Sequence, residues 1–138
     1  MTFVERCLYE YKANKAAIEA INMEIQDLMS VRGCSYENYS PNMHNVSDSV
    51  LEVTARKLNL ERKVSKLQRL TAPVEKLKQD LSGNSLSTQQ MREILIWKYI
   101  DHEGNEGTQA KMAVSERTFW RRVRELLHLA KKYFGEFN

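Results

Sequence analysis

In "SERTFWRRVRELLHLAKKYFGEF", residues 115–137, Arg117, Arg121, Arg124, His128 and Lys131 recur every three or four positions. Side chains of this type and spacing suit two kinds of chemistry with a polyanion. An arginine fork pairs bidentately with O6 and N7 of guanine, worth about 1–3 kcal/mol in discrimination. A lysine neutralises a phosphate and releases counterions without reading sequence.

The helical wheel separates the two kinds of residue. With Phe119 as origin and ~100° per residue, Val123, Leu126, Ala130, Tyr133 and Phe137 fall within about 40° of it. Arg117, Arg121, Arg124, His128, Lys131 and Lys132 fall within about 60° of the opposite pole. Of the carboxylates, Glu116 and Glu136 lie off that pole and Glu125 reaches only its edge, about 60° from its centre. A merely solvated face mixes signs for i,i+4 pairing, so an external anion is the better account of the stripe. The expectation is a helix whose cations face outward, unpaired within the protein.

Such a helix must be started and held. "MAVSERTFWRRV" predicts a short helix ending near Ala113, a tight junction at Val114–Ser115 and a new helix capped by Ser115. That is the sequence form of a helix-turn-helix, whose second helix lies in the major groove of double-stranded DNA. Glu116, Arg117, Trp120, Arg121 and Arg124 are then the base-reading candidates. Lys111, Ser115, Thr118, His128, Lys131 and Lys132 are the phosphate candidates. Trp120 falls at the boundary of the two faces, where core packing is expected ahead of contact with a thymine methyl or sugar. Upstream, "LSTQQMREILIWKYIDHEG" offers Ser87 as a cap and Met91, Ile94, Leu95 and Trp97 as an apolar side, and "DHEGNE", 101–106, reads as a polar loop.

The first half of the chain reads as two long helices. Residues 3–29 carry a seam of Val4, Cys7, Tyr11, Asn14, Ile18, Ile21, Ile25 and Leu28. Asn14 either fixes register in a coiled coil or faces water. "RGCSYENYSPNMHNV" ends that helix, with Gly33 as stop, Pro41 as turn former, and Tyr36 and Tyr39 expected to pin the loop. Ser47 and Asp48 are the cap candidates of a second helix, whose seam is Val53, Leu60, Val64, Leu67, Val74 and Leu81. Pro73 costs an uninterrupted helix about 3 kcal/mol, which predicts a kink there or a restart capped by Thr71. A coiled-coil-like antiparallel hairpin is the simplest arrangement, and its seam predicts a homodimer if the hairpin is not closed within one chain. Residues 56–78 hold Arg56, Lys57, Arg62, Lys63, Lys66, Arg69, Lys76 and Lys78 against Glu61 and Glu75, while the first helix carries Glu5, Glu10, Glu19, Glu24 and Asp27. Charge pairing between the helices accounts for this cluster without a ligand. "SGNSLS", 82–87, divides a hairpin region, 1–82, from a helix-turn-helix region, 83–138.

Composition agrees with an all-α fold. Of 138 residues, 42% are hydrophobic and 28% charged, with five Gly and two Pro, which is too apolar for disorder and too poor in turn formers for β structure. Net charge is only +3, so the clustering of the cations matters more than their sum. Cys7 and Cys34 form neither a disulfide framework nor a metal pair, which fits a reducing cytoplasm. His44, His102 and His128 are scattered, and no phosphate loop, nucleophile elbow or metal-ligand pair appears, so no enzyme, catalytic residue, metal or cofactor is expected. No run approaches the ~18 apolar residues of a membrane helix, and the N-terminus lacks a signal-peptide core.

"REILIWKYI" followed by "AVSERTFWRRVRELL" resembles the C-terminal domain of sigma factors and, more closely, phage transcriptional regulators of the RinA and ArpU type. The matching residues are Ile94, Leu95, Trp97, Lys98 and Tyr99, then Val114, Ser115, Thr118, Phe119 and Arg121. Against the pattern, Gln109 stands where alanine is expected, Thr108 where an aliphatic is expected, and Gly107 inside the first helix of the motif, which predicts that this helix is short or irregular. The resemblance implies a sequence-specific activator of late phage or prophage genes, acting with bacterial RNA polymerase in the cytoplasm of a bacterial host. A phage terminase small subunit, which recognises DNA for packaging, also joins a helix-turn-helix to helical oligomerisation segments and is the alternative. A third reading is an interaction protein whose basic stripe meets an acidic partner.

Overall fold

The first helix has Val4, Cys7, Leu8 and Tyr11 on one stripe, and in the computed structural model all four are buried. The structure describes residues 1–33 and 44–135, and the side chains of these except 31–33 and 44–49. The fold is all-α, with no strand among the described residues. Helix α1 spans Phe3–Gly33, α2 His44–Asp80, α3 Leu86–Ile94, α4 Gly104–Met112 and α5 Glu116–Tyr133; α3 runs on as a π-helical turn over Leu95–Ile100. The expectations placed on Cys34, Tyr36, Tyr39 and Pro41 lie outside the described residues.

Two helix starts differ from those expected, and one of the two alternatives at Pro73 is excluded. Helix α2 begins at His44, a turn ahead of Ser47 and Asp48, which therefore do not cap it. It also continues through Pro73 without a restart at Thr71. Val74, Leu77 and Leu81 just beyond the proline are almost completely buried, and at about 1.5–3 kcal/mol each their burial outweighs the ~3 kcal/mol of an interior proline. The cap of α3 is Ser85 rather than Ser87: Ser85 is extended, and its Oγ accepts the Thr88 N–H at 3.2 Å.

Two compact units result. The first comprises Met1–Asn14 and Arg69–Asn138, so the SGNSLS patch lies within it and the units do not part at residue 82. Its core joins Val4, Cys7, Leu8 and Tyr11 of α1, Val74, Leu77 and Leu81 at the end of α2, Ile94, Leu95 and Tyr99, and the buried face of α5. The Tyr11 hydroxyl donates to Glu75 at 3.3 Å, and the Tyr133 hydroxyl donates to Asp80. Asn14 does not simply face water: it is half-buried, and its amide nitrogen is buried with no hydrogen-bond partner among the described residues.

The second unit, Lys15–Gln68, buries Ile18, Val53, Leu60 and Val64. Here the charge-pairing account of the α2 cluster fails. Among the described residues, Arg56 is the one cation of that cluster paired to an α1 carboxylate, Glu24, at 3.3 Å. Lys57 pairs along its own helix with Glu61 at 3.8 Å. Arg62, Lys63 and Lys66 are exposed and make no ion pair or hydrogen bond.

Candidate nucleic-acid interface

Helix α4 stops because Ala113 enters the left-handed region, at φ 55° and ψ 44°. Its N–H still reaches the Gln109 carbonyl at 3.0 Å and that of Ala110 at 3.2 Å, which closes the helix end. Gln109 Nε2 then donates to the Val114 carbonyl at 3.3 Å, across the turn. Ser115 is extended (φ −69°, ψ 157°), its Oγ accepts the Thr118 N–H at 3.2 Å, and α5 begins. The Ser115 hydroxyl donates in turn to Thr118 Oγ1 at 3.0 Å.

The unexpected residues of α4 now have physical roles. Thr108 is fully buried, and its hydroxyl donates to the Gly104 carbonyl one turn back at 2.7 Å, so a polar side chain occupies an apolar position with its bond satisfied. Gln109, in place of alanine, supplies the brace across the turn. Gly107 lies within the helix, while Gly104 takes φ 80° at its start, a backbone state suited to glycine.

Helix α5 has the two faces expected of it. Phe119, Val123, Leu126 and Ala130 are buried in the core of the first unit, and Phe134 beyond them meets Phe3 edge-on at 6.2 Å. Arg117, Arg121, Arg124, His128, Lys131 and Lys132 are all exposed, and among the described residues none makes an ion pair or hydrogen bond. Arg122 behaves differently. It is half-buried, with Nε donating to Gln90 at 2.7 Å and Nη1 to Glu125 at 2.8 Å, so it fastens α5 to α3 rather than facing solvent.

Not every candidate is free. Lys111 is paired with Glu103 and stands 5.4 Å from the centre of the Trp97 ring. Ser115 and Thr118 are occupied in the cap. Glu116 is exposed in the first turn of α5, where its charge suits the positive end of the helix dipole. Trp120 is not core: it is 39% exposed, meets Phe119 edge-on at 5.2 Å, and lines an open recess of about 610 Å³ with Glu106, Gly107, Gln109 and Glu116.

Sequence reasoning missed one buried cation. Lys98 sits in the π-helical turn, 7% exposed, with its ammonium 2.6 Å from the Tyr9 hydroxyl and over the Tyr9 and Tyr99 rings at 5.1 and 4.6 Å. A lysine between Trp97 and Tyr99 was the available signal, since an apolar arc that includes a cation needs aromatic faces to hold it. His102, at φ 57°, is hydrogen-bonded to the Tyr9 carbonyl at 2.7 Å. Burial, then Glu5 and then Tyr9 push the Tyr99 phenol well above its ordinary range.

No helix is long and apolar enough to cross a membrane, and no group of three or more His, Cys, Asp or Glu is placed to hold a metal, both among the described residues. No protein-family model, curated protein or solved structure matches this chain.

Proposed function

We propose that this protein is a sequence-specific DNA-binding transcriptional regulator, in which α4, the Ala113–Ser115 turn and α5 act as a helix-turn-helix. The observation that carries the reading is the outer face of α5, where Arg117, Arg121 and Arg124 stand exposed and, among the described residues, unpaired, opposite a fully packed core face. Like charges one turn apart repel, and phosphate contacts relieve that repulsion while releasing counterions. The N-terminal half of α5 would enter the major groove, with Arg117, Arg121 and Arg124 toward base edges and His128, Lys131 and Lys132 toward the backbone. The resemblance to phage regulators makes the expected role activation of late phage or prophage genes together with bacterial RNA polymerase.

Selection of duplexes from a random library, followed by competition between selected and random DNA, tests the reading. Enrichment of one motif, with tighter binding to it than to random duplex, is the expected result. Equal binding to every sequence would remove the regulator reading. If a motif is found, transcription by purified polymerase from a promoter beside it should rise on adding the protein. Stimulation of a packaging ATPase without any effect on transcription would favour the terminase alternative.

A further inference from the structure

We propose that the middle of α2 carries a second nucleic-acid-binding surface, made by Arg62, Lys63 and Lys66, that grips the phosphate backbone independently of sequence. All three are exposed, and among the described residues none has an ion-pair or hydrogen-bond partner. Their side chains stand in solvent, whereas Leu60 and Val64, the apolar residues of the same stretch, are buried. The carboxylate nearest in sequence, Glu61, is engaged by Lys57 at 3.8 Å and so does not neutralise them.

The chemistry of the patch selects its partner. From Glu61 to Lys66 every exposed residue is polar: Glu61, Arg62, Lys63, Ser65 and Lys66. A protein partner is normally gripped through a buried apolar or aromatic anchor, and an interfacial membrane helix through an apolar face; this segment offers neither. A phosphate backbone asks only for cations at a suitable spacing. Arg62 and Lys66 are one turn apart, about 6 Å along the axis, while each strand of a duplex places a phosphate about every 3.4 Å of its rise. Separate side chains therefore reach separate phosphates. The guanidinium can bridge two oxygens of one phosphate, and the ammonium groups act as point charges. The inference shares with the proposed function only the class of partner, because α5 is assigned sequence reading and this surface is not.

The test uses the full chain and a long random-sequence duplex, with affinity measured across salt concentrations. The parent is compared with the triple variant Arg62→Ala, Lys63→Ala, Lys66→Ala, whose exposed substitutions should leave its thermal unfolding unchanged. Removing three phosphate contacts should flatten the slope of log K against log salt by about 2.7. Equivalently, the loss of affinity between about 50 and 200 mM salt shrinks about forty-fold. An unchanged slope and affinity would overturn the proposal, as would a parent that binds polyglutamate but not duplex. The two readings fail separately. Loss of motif preference in Arg121→Ala/Arg124→Ala, with no slope change in the α2 variant, leaves the α5 assignment standing and removes this one. A flattened slope in the α2 variant, with the α5 variant still preferring the motif, does the reverse.

Discussion

The Lys98 ammonium lies 2.6 Å from the hydroxyl of Tyr9, a residue 89 positions earlier in the chain. The Tyr9 and Tyr99 rings complete its surroundings, and among the described residues no carboxylate pairs with it. This cation ties the start of α1 to the element that leads into α4. Tyr9→Phe should destabilise the protein by about 1–3 kcal/mol, because a buried charge loses its hydrogen-bond acceptor. Adding Lys98→Met removes the charge while keeping the volume, so the double variant should be more stable than Tyr9→Phe alone. Urea unfolding of the four proteins in the cycle checks this, and equal midpoints for the Tyr9→Phe and double variants would count against the caged-cation account.

The turn between α4 and α5 makes an opposite prediction, a gain. Ala113 occupies left-handed backbone, which costs an L-residue about 1–2 kcal/mol, whereas glycine adopts it freely at the expense of roughly 0.5–1 kcal/mol of chain entropy. Ala113→Gly should therefore raise stability by about 0.5–1 kcal/mol. Ser115→Ala, which removes the cap of α5, should lower it by about 1 kcal/mol. Denaturant midpoints at constant m-value decide both signs.

On α5 the cations should divide by position. Arg121→Ala and Arg124→Ala should each lose about 1–3 kcal/mol on the selected motif and much less on random duplex. Lys131→Ala should weaken both alike and flatten the salt slope by about 0.9. Arg122→Ala should leave motif preference intact and lower the melting temperature, since its partners are Gln90 and Glu125. Competition binding separates these outcomes, and equal losses on the two duplexes for Arg121 and Arg124 would remove their base-reading role.

Alkaline pH should unfold the protein earlier than loss of surface charge alone would. Burial raises the Tyr99 phenol, with Glu5 and Tyr9 adding to the shift, and burial likewise raises the Cys7 thiol, with Glu10 adding and Arg6 opposing. For a group whose folded value lies above its unfolded one, the stabilisation is complete below the unfolded value and is lost as pH climbs toward the folded one. The Tyr99 contribution should thus fade above about pH 10, and Tyr99→Phe should flatten the fall in urea midpoint there. In a Cys34→Ser background, Cys7 should react with a thiol reagent at the rate of unfolding.

The legible parts of this chain were those fixed by local chemistry. Ser115 caps α5 through its own hydroxyl, and the segregation of Phe119, Val123, Leu126 and Ala130 from Arg117, Arg121 and Arg124 needs only the helical period. What escaped depends on distant partners. The seam already ran past Pro73 through Val74 and Leu81, but only the burial of Val74, Leu77 and Leu81 in a core shared with distant residues decides that α2 does not restart at Thr71. Ser87 and Ser85 are equally good caps on paper, and the choice between them falls to where the chain leaves α2. The acidic first helix suggested that the α2 cations would be neutralised, yet one such pair, Arg56–Glu24, forms among the described residues. Trp120 sat at the edge of two faces, where a few degrees decide exposure.

The packing of Val4, Cys7 and Leu8 against Ile94, Leu95 and the inner side of α5 has a consequence for biosynthesis. The start of α1 cannot be sheltered until α5, far along the chain, has been translated, so this core stays open until then. A stalled or truncated product lacking α5 would display bare aliphatic side chains, the kind of surface that chaperones and proteases detect.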